Sequence, residues 1–198
     1  MKKKKTVGFY GGTFDPIHFG HINLAVQLLE IYSLDEVLFC PAYCSPLKTT
    51  APPLATPHQR LEMVRIALEG IPHFRITTYE IDRNEPAFTI DTLQMIKREG
   101  RGDINFRLLL SEEAASHFDQ WKNFQDLIRL APPIIGTRSP SLLRGSLADS
   151  LRSGCTQTKI FEISSTDIRE RLKKEQYCGH LVPEKVLDYI QANGLYKI

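Results

Sequence analysis

The chain of 198 residues is long enough for one medium domain whose core needs neither disulfides nor a structural metal. Hydrophobic residues make up 42% and charged residues 24%, a globular balance that excludes a disordered, collagen-like or disulfide-stapled chain. Net charge is +2, from 25 basic and 23 acidic residues, so no bulk attraction to nucleic acid is expected, and no apolar run approaches the ~18 residues of a membrane span.

The lysine run at Met1 to Lys5 reads as the solvated start of a first strand, with a nucleic-acid arm as the alternative. A secretory signal would need ~7–15 apolar residues there, and Gly11-Gly12 interrupts any candidate, so a cytoplasmic protein is expected. Val7-Gly8-Phe9-Tyr10 is the first strand, closed by Gly11-Gly12. From His21 to Tyr32, Ile22, Ala25, Val26 and Leu29 recur at helical spacing. Val37 to Cys40 is a second buried strand ended by Pro41, and the Pro/Ser/Thr-rich stretch Ala42 to Ala55 is a loop over a site. Thr56 can cap a helix, Pro57 suits its first position, and Gln59 completes a capping box. Leu61, Val64 and Leu68 form that helix's inward stripe.

A third strand is predicted from Phe74 to Tyr79, a helix from Ile90 to Glu99, a fourth strand from Asn105 to Leu110 and a fifth at Ile134-Ile135. Ser139 to Gln157 has weak periodicity and reads as an irregular excursion before a late strand, Ile160 to Ile163. Helices follow from Thr166 to Lys174 and from Glu184 to Asn193, with Gly194 as the stop. Repeated strand–helix alternation predicts a single α/β domain over residues 1–198, a doubly wound, Rossmann-like parallel sheet flanked by helices. Ligands of such a sheet lie beyond the carboxyl ends of its strands, at the topological switch point. Cys40, Cys44, Cys155 and Cys178 lack C-x-x-C spacing and are read as reduced thiols.

Two segments carry chemistry. In the first, Gly11-Gly12-Thr13-Phe14-Asp15-Pro16-Ile17-His18-Phe19-Gly20-His21, the glycines let the backbone approach a ligand. His18 and His21 share one face of a helix start, where orphan amides and the helix dipole favour an anion. Gly20 leaves room for phosphate oxygens. Paired histidines could instead be metal ligands, but no third ligand stands nearby in sequence. The segment lacks the G-K-[ST] ending of a P-loop and the G-x-G-x-x-G dinucleotide fingerprint.

In the second, Ile163-Ser164-Ser165-Thr166-Asp167-Ile168-Arg169, one hydroxyl residue caps a helix and the others, with free amides, can bind phosphate. Arg169 lies in the first turn, where a cation opposes the helix dipole but suits a phosphate clamp.

Together these segments resemble the nucleotidyltransferase superfamily with the HxGH signature, and the whole chain is similar to bacterial nicotinate-mononucleotide adenylyltransferases. Pro86-Ala87-Phe88-Thr89-Ile90-Asp91-Thr92-Leu93 corresponds to that family's P-S-Y-T-x-x-T-L stretch. Trp121 matches its tryptophan after the fourth strand, and Val182-Pro183-Glu184 with Gly194-Leu195-Tyr196 match its ending. The resemblance implies attack of the mononucleotide 5′-phosphate on the α-phosphorus of ATP, giving deamido-NAD and pyrophosphate, with Mg²⁺ bridging phosphate oxygens and no protein side chain holding the metal. His18, His21 and Arg169 would be catalytic. Gly11, Gly12, Thr13, Phe14, Gly20, Ser164, Ser165, Thr166 and Arg138 would bind ATP. Lys48, Phe88, Thr89, Glu113 and Trp121 would bind the mononucleotide, Trp121 by stacking on the pyridine and the amides near Phe88 and Thr89 by taking its carboxylate. A core tryptophan, an ordinary helix cap at Thr89, a solvated Lys48 and a surface ion pair at Arg138 are the competing readings. A monomer or homodimer acting on small molecules, without nucleic acid or membrane, is expected.

Departures from the family pattern fall on the mononucleotide side. Pro46-Leu47-Lys48 replaces P-H-[KR], Ser111-Glu112-Glu113 replaces G-x-D, and Lys122 stands where a second aromatic is common. Phosphopantetheine adenylyltransferases carry threonine at the place of His18 and are shorter. Cytidylyltransferases have a residue other than proline at the place of Pro16. A nucleotide-binding sensor without efficient catalysis is a further alternative, against which the intact His18, His21 and Arg169 count.

Overall fold

A computed structural model describes residues 4–44, 52–99, 104–138, 151 and 153–197. Its strands β1 (Lys5–Gly12), β2 (Glu36–Pro41), β3 (Phe74–Ile76), β4 (Ile104–Ser111), β5 (Pro133–Thr137) and β6 (Cys155–Gln157) form one sheet in the order β3-β2-β1-β4-β5-β6. Every neighbouring pair is parallel. The helices are α1 (Phe19–Ile31), α2 (Pro57–Leu68), α3 (Tyr79–Arg83), α4 (Thr89–Glu99), α5 (Glu112–Ser116), α6 (Phe124–Leu130), α7 (Ser165–Lys173) and α8 (Glu184–Ala192), with a 3-10 turn at Phe118–Gln120. This is the α/β Rossmann-like architecture that the strand–helix alternation predicts.

Parallel strands buried on both faces need apolar residues at successive positions, and β4 shows the period-2 division. Phe106, Leu108 and Leu110 join one core cluster with Ile90 and Leu93 of α4, Phe118 of the 3-10 turn and Leu127 of α6. Leu109 points into the other, with Leu24 and Leu28 of α1, Met63, Val64 and Ala67 of α2, and Val186 and Ile190 of α8. Full burial of each such side chain contributes about 1.5–3 kcal/mol. The α2 start has the predicted capping box: the Gln59 N–H donates to Thr56 Oγ1 (3.3 Å), and the Thr56 N–H donates to Gln59 Oε1 (2.9 Å). Gly194, past α8, takes φ 60°, the left-handed stop expected of it.

Two expectations need correction, and one connection holds elements that the sequence does not announce. The third strand ends at Ile76, and α3 follows where the β-branched run Ile76-Thr77-Thr78 reads as strand. The Asp82 N–H donates to the Thr78 carbonyl (2.8 Å), and Glu80 and Asp82 in the first turn suit the helix dipole. The last strand is Cys155–Gln157, inside the stretch read as irregular, and Ile160 to Ile163 is not a strand. There the chain is held by side chains of α1. Gln27 both accepts from the Lys159 N–H (2.8 Å) and donates to its carbonyl (2.8 Å), and Asn23 Nδ2 donates to the same carbonyl (2.6 Å). These bonds satisfy the backbone of Lys159 at the entry to the segment without a neighbouring strand. Finally α5, the 3-10 turn and α6 fill the β4–β5 connection, each too short to show a helical period in sequence.

Candidate active site

β1 is the switch point: the chain leaves it toward β2 and β3 on one side and returns as β4 on the other. The crevice at the carboxyl ends of β1 and β4 therefore receives the loop from Gly12 to His18. Gly12 is needed because a Cβ there would lie 2.8 Å from the Phe14 ring, which is buried at φ 51°. A cis Asp15-Pro16 bond follows, and His18, extended at φ −148°, caps α1. The His18 N–H donates to His21 Nδ1 (3.3 Å), and the two imidazoles stack at 3.7 Å between centroids. A Cβ on Gly20 would sit 3.0 Å from Cε1 and Nδ1 of His18, so this glycine also makes room for the His18 ring itself.

The second segment meets the first here. Ser164 caps α7 by accepting from the Asp167 N–H (3.0 Å), while Ser165 Oγ donates to the Pro16 carbonyl (2.9 Å). Arg169 Nη1 donates to the Asp15 carbonyl (2.8 Å), and Nη2 donates to Thr166 Oγ1 (3.1 Å). The two sequence motifs, some 150 residues apart, are thus one surface.

Beneath it lies a charged layer whose function the sequence reading did not assign. Arg60 is fully buried; its Nη1 donates to the Thr13 carbonyl (2.6 Å), Nη2 to the Tyr43 carbonyl (2.7 Å) and Nε to the Ala55 carbonyl (3.3 Å). Burial lowers its proton affinity, and the nearby Asp15 carboxylate opposes that. Asp15 is 5% exposed and accepts from the Leu54 N–H (2.9 Å), the Ala55 N–H (3.1 Å) and the Tyr196 hydroxyl (2.7 Å). A sequence signal for Arg60 exists: it stands on the buried stripe Met63, Val64, Ala67, where a charged side chain must be fully partnered.

His18 is also 5% exposed, and burial pushes its imidazole down to about 4, so the ring is neutral at pH 7. Its Nδ1 is buried and meets no hydrogen-bond partner among the described residues. A buried polar atom without a partner at a helix start marks a candidate contact for a ligand.

Around β4 the contacts are different in kind. Ser111 caps α5 by accepting from the Ala114 N–H (3.2 Å), Glu112 Oε2 accepts from Thr137 Oγ1 (2.9 Å), and Glu113 is exposed in the first turn. Phe88 and Thr89, both half-buried, open α4; the Phe88 carbonyl accepts from the Asp91 and Thr92 N–H groups. Trp121 is half-buried, its ring 5.3 Å from that of Phe118 at the edge of the core. Lys122 Nζ pairs with Asp91 Oδ2 (2.9 Å) and lies 4.8 Å from the Phe88 ring, so it ties the start of α4 to the Trp121 turn. Glu80, also missed from sequence, is buried below: burial raises its carboxyl above the ordinary range, while Thr92 Oγ1 (2.8 Å), the Cys40 thiol and the Tyr43 N–H donate to it. Arg138 forms an ion pair with the exposed Glu162, as its competing reading has it. Lys48 and Leu47 lie outside the described residues.

The sequence model of the cytidylyltransferase-like family matches residues 9–171, most of the chain and both halves of this surface. The chain belongs to that family. Relatives within it include a probable nicotinate-nucleotide adenylyltransferase of Hydrogenobaculum sp. (strain Y04AAS1), 33% identical over 96% of this chain and 97% of its own. The nicotinate-nucleotide adenylyltransferase of Bacillus subtilis (strain 168) is 32% identical over 98% of this chain and 99% of its own. The fold is shared with the Plasmodium falciparum nicotinic acid mononucleotide adenylyltransferase complexed with NaAD (TM-score 0.77, 20% identity, 97% of each chain). As a member of the family the protein is a nucleotidyltransferase, and no helix among its described residues is long and apolar enough to cross a membrane.

Proposed function

We propose that the protein, acting as a single domain in the cytoplasm, transfers the adenylyl group of ATP to nicotinate mononucleotide, forming deamido-NAD and pyrophosphate for NAD biosynthesis. The observation that carries the reading is the meeting of His18 and His21 with Arg169 at the switch point, in a chain whose full-length relatives bear that activity in their names. The mononucleotide 5′-phosphate oxygen attacks the α-phosphorus, the bond to the bridging oxygen breaks, and pyrophosphate leaves. No protein nucleophile is required, so positioning and neutralisation of charge do the work.

His18 and His21 face the growing charge on the α- and β-phosphates. A triphosphate against the buried, neutral His18 raises its proton affinity, so the ring takes up a proton as the nucleotide binds. Arg169, Ser165 and Thr166 hold the departing pyrophosphate, and the turn Gly11 to Phe14, with Gly20 and Ser164, lies along the nucleotide. Arg138 exchanges Glu162 for phosphate. The site's donors are imidazoles, hydroxyls and a guanidinium, and the Asp15 carboxylate is occupied by N–H and O–H donors. That set suits phosphate oxygens rather than a metal, so Mg²⁺ is proposed to arrive on the ATP phosphates, where it adds neutralising charge. Trp121, Phe88, Thr89, Glu113 and Lys48 take the mononucleotide.

Pyrophosphate release with Mg-ATP, and nicotinate mononucleotide, nicotinamide mononucleotide or phosphopantetheine offered separately, tests the reading, with products identified by mass. Turnover to deamido-NAD is expected. His18→Asn is expected to lower kcat about 10²–10³-fold, the loss typical of one transition-state donor. Turnover only with another acceptor, or none at all, overturns it.

A further inference from the structure

The carboxylate of Asp15 ties together parts of the chain that the sheet alone leaves separate. It belongs to the loop that leads into His18, it receives the backbone of Leu54 and Ala55 ahead of α2, and it receives the hydroxyl of Tyr196, 181 residues away (2.7 Å). Its carbonyl, in turn, receives Arg169 Nη1 (2.8 Å), and Arg169 Nη1 lies 3.9 Å from its carboxylate. Arg60 closes the arrangement from below through the Thr13 and Ala55 carbonyls.

Tyr196 is an unusual residue for a purely space-filling task. It is 6% exposed and its backbone sits at φ 62°, in the left-handed region that disfavours residues with a Cβ. Gly194, two residues earlier, takes φ 60°, and the Leu195 N–H donates to the Ile190 carbonyl (3.0 Å), so the turn after α8 is wound tightly enough to bring the phenol inward. Burial and the Asp15 carboxylate both hold the phenol protonated, so it acts as a donor. A phenylalanine would fill the same core space against Met63; only the hydroxyl reaches Asp15.

We propose that Tyr196 is a positioning residue: through Asp15 it sets the place of the Arg169 guanidinium against the His18–His21 loop, so that the turn after α8 is part of the phosphate-binding machinery. Tyr196 touches no substrate and acts only by fixing the residue to which Arg169 is bonded. The inference rests, for its kinetic readout, on the adenylyl transfer proposed above.

The test is a double-mutant cycle of Tyr196→Phe and Arg169→Ala in the full chain. Y196F is expected to lower kcat about tenfold, with the KM for nicotinate mononucleotide unchanged, and to weaken Mg-ATP binding measured by titration calorimetry. In the Arg169→Ala background the same substitution is expected to change neither kcat nor Mg-ATP affinity further. A structural role would produce the same factor in both backgrounds, or a lower Tm with unaltered kcat; either result overturns the proposal. Thermal unfolding of each variant is recorded so that kinetics are read well below its midpoint. If the wild type releases no pyrophosphate, the reaction assigned above fails while the cycle is still read in Mg-ATP binding. There, loss of coupling between the two positions, or no binding by the wild type, overturns the role of Tyr196.

Discussion

The two halves of the crevice are built differently. On the side of β1 and α7, backbone carbonyls and a carboxylate are held by buried donors, Arg60 and Tyr196, from distant parts of the chain. Around α4, α5 and Trp121, one buried bond, Thr92 to Glu80, lies below, but the ties at the crevice are helix caps and an exposed pair, Lys122 with Asp91, whose side chains are 41% and 47% exposed. Groups that meet charge developing in a transition state lose their value when misplaced by an ångström. In the half proposed to recognise a flat ring and a carboxylate, caps and an exposed pair leave room for adjustment. The departures from the family pattern at Ser111-Glu112-Glu113 and Lys122 fall in the adjustable half, and the structure gives each a local partner: Ser111 a helix cap, Glu112 a hydroxyl, Lys122 a carboxylate and a ring.

The contrast can be broken most forcibly at Arg60. Arg60→Met strands the Thr13, Tyr43 and Ala55 carbonyls and removes one of the two cations near the Asp15 carboxylate; urea unfolding is expected to show a loss of about 3–5 kcal/mol. Next comes pH. The folded-state value of His18, about 4, lies below the ordinary 6.5, so the fold favours the neutral ring. That contribution is present above pH 6.5 and is lost as pH falls through the window to about 4, roughly 3 kcal/mol in all. Glu80, raised by burial, works in the opposite sense, its contribution present at low pH and lost as pH rises through its folded value. Subtracting the stability profile of His18→Asn from that of the wild type isolates the histidine, and a flat difference between pH 4 and 6.5 would refute the assignment.

Smaller effects are expected on the other side. Trp121→Ala is expected to raise the KM for the mononucleotide about tenfold while leaving Mg-ATP affinity within about twofold, since an aromatic stack is worth ~1–3 kcal/mol. An equal loss for both substrates would mean that Trp121 serves the core. Lys122→Met is the mildest, within about 1 kcal/mol by thermal unfolding, because an exposed pair contributes little.

Much of this was legible in the residues. Thr56-Pro57-His58-Gln59 announces the α2 start because capping is local, and the parallel sheet follows from alternating apolar runs and helical stripes. His18, His21 and Arg169 stood out as candidates because glycines and hydroxyls surround helix starts. That Arg169 reaches Asp15 and that Tyr196 closes the layer below were not legible, because such contacts join positions with no shared period or spacing. The anchoring of the chain just before Ile160 to Ile163, where no strand forms, was hidden for the same reason: Gln27 and Asn23, far away in sequence, take the backbone groups of Lys159.

The bond between Asp15 and Tyr196 also dates the site within the life of the chain. Every strand of the described sheet is encoded by residue 157, so a growing polypeptide can assemble the whole sheet while synthesis continues. The phosphate loop, made before the sheet is complete, nevertheless waits for a hydroxyl made after it. A nascent chain halted in between carries the histidines of the crevice and, past residue 169, its arginine, yet lacks the hydroxyl that bonds the Asp15 carboxylate. Maturation of the crevice thus follows the making of the sheet rather than being a by-product of it.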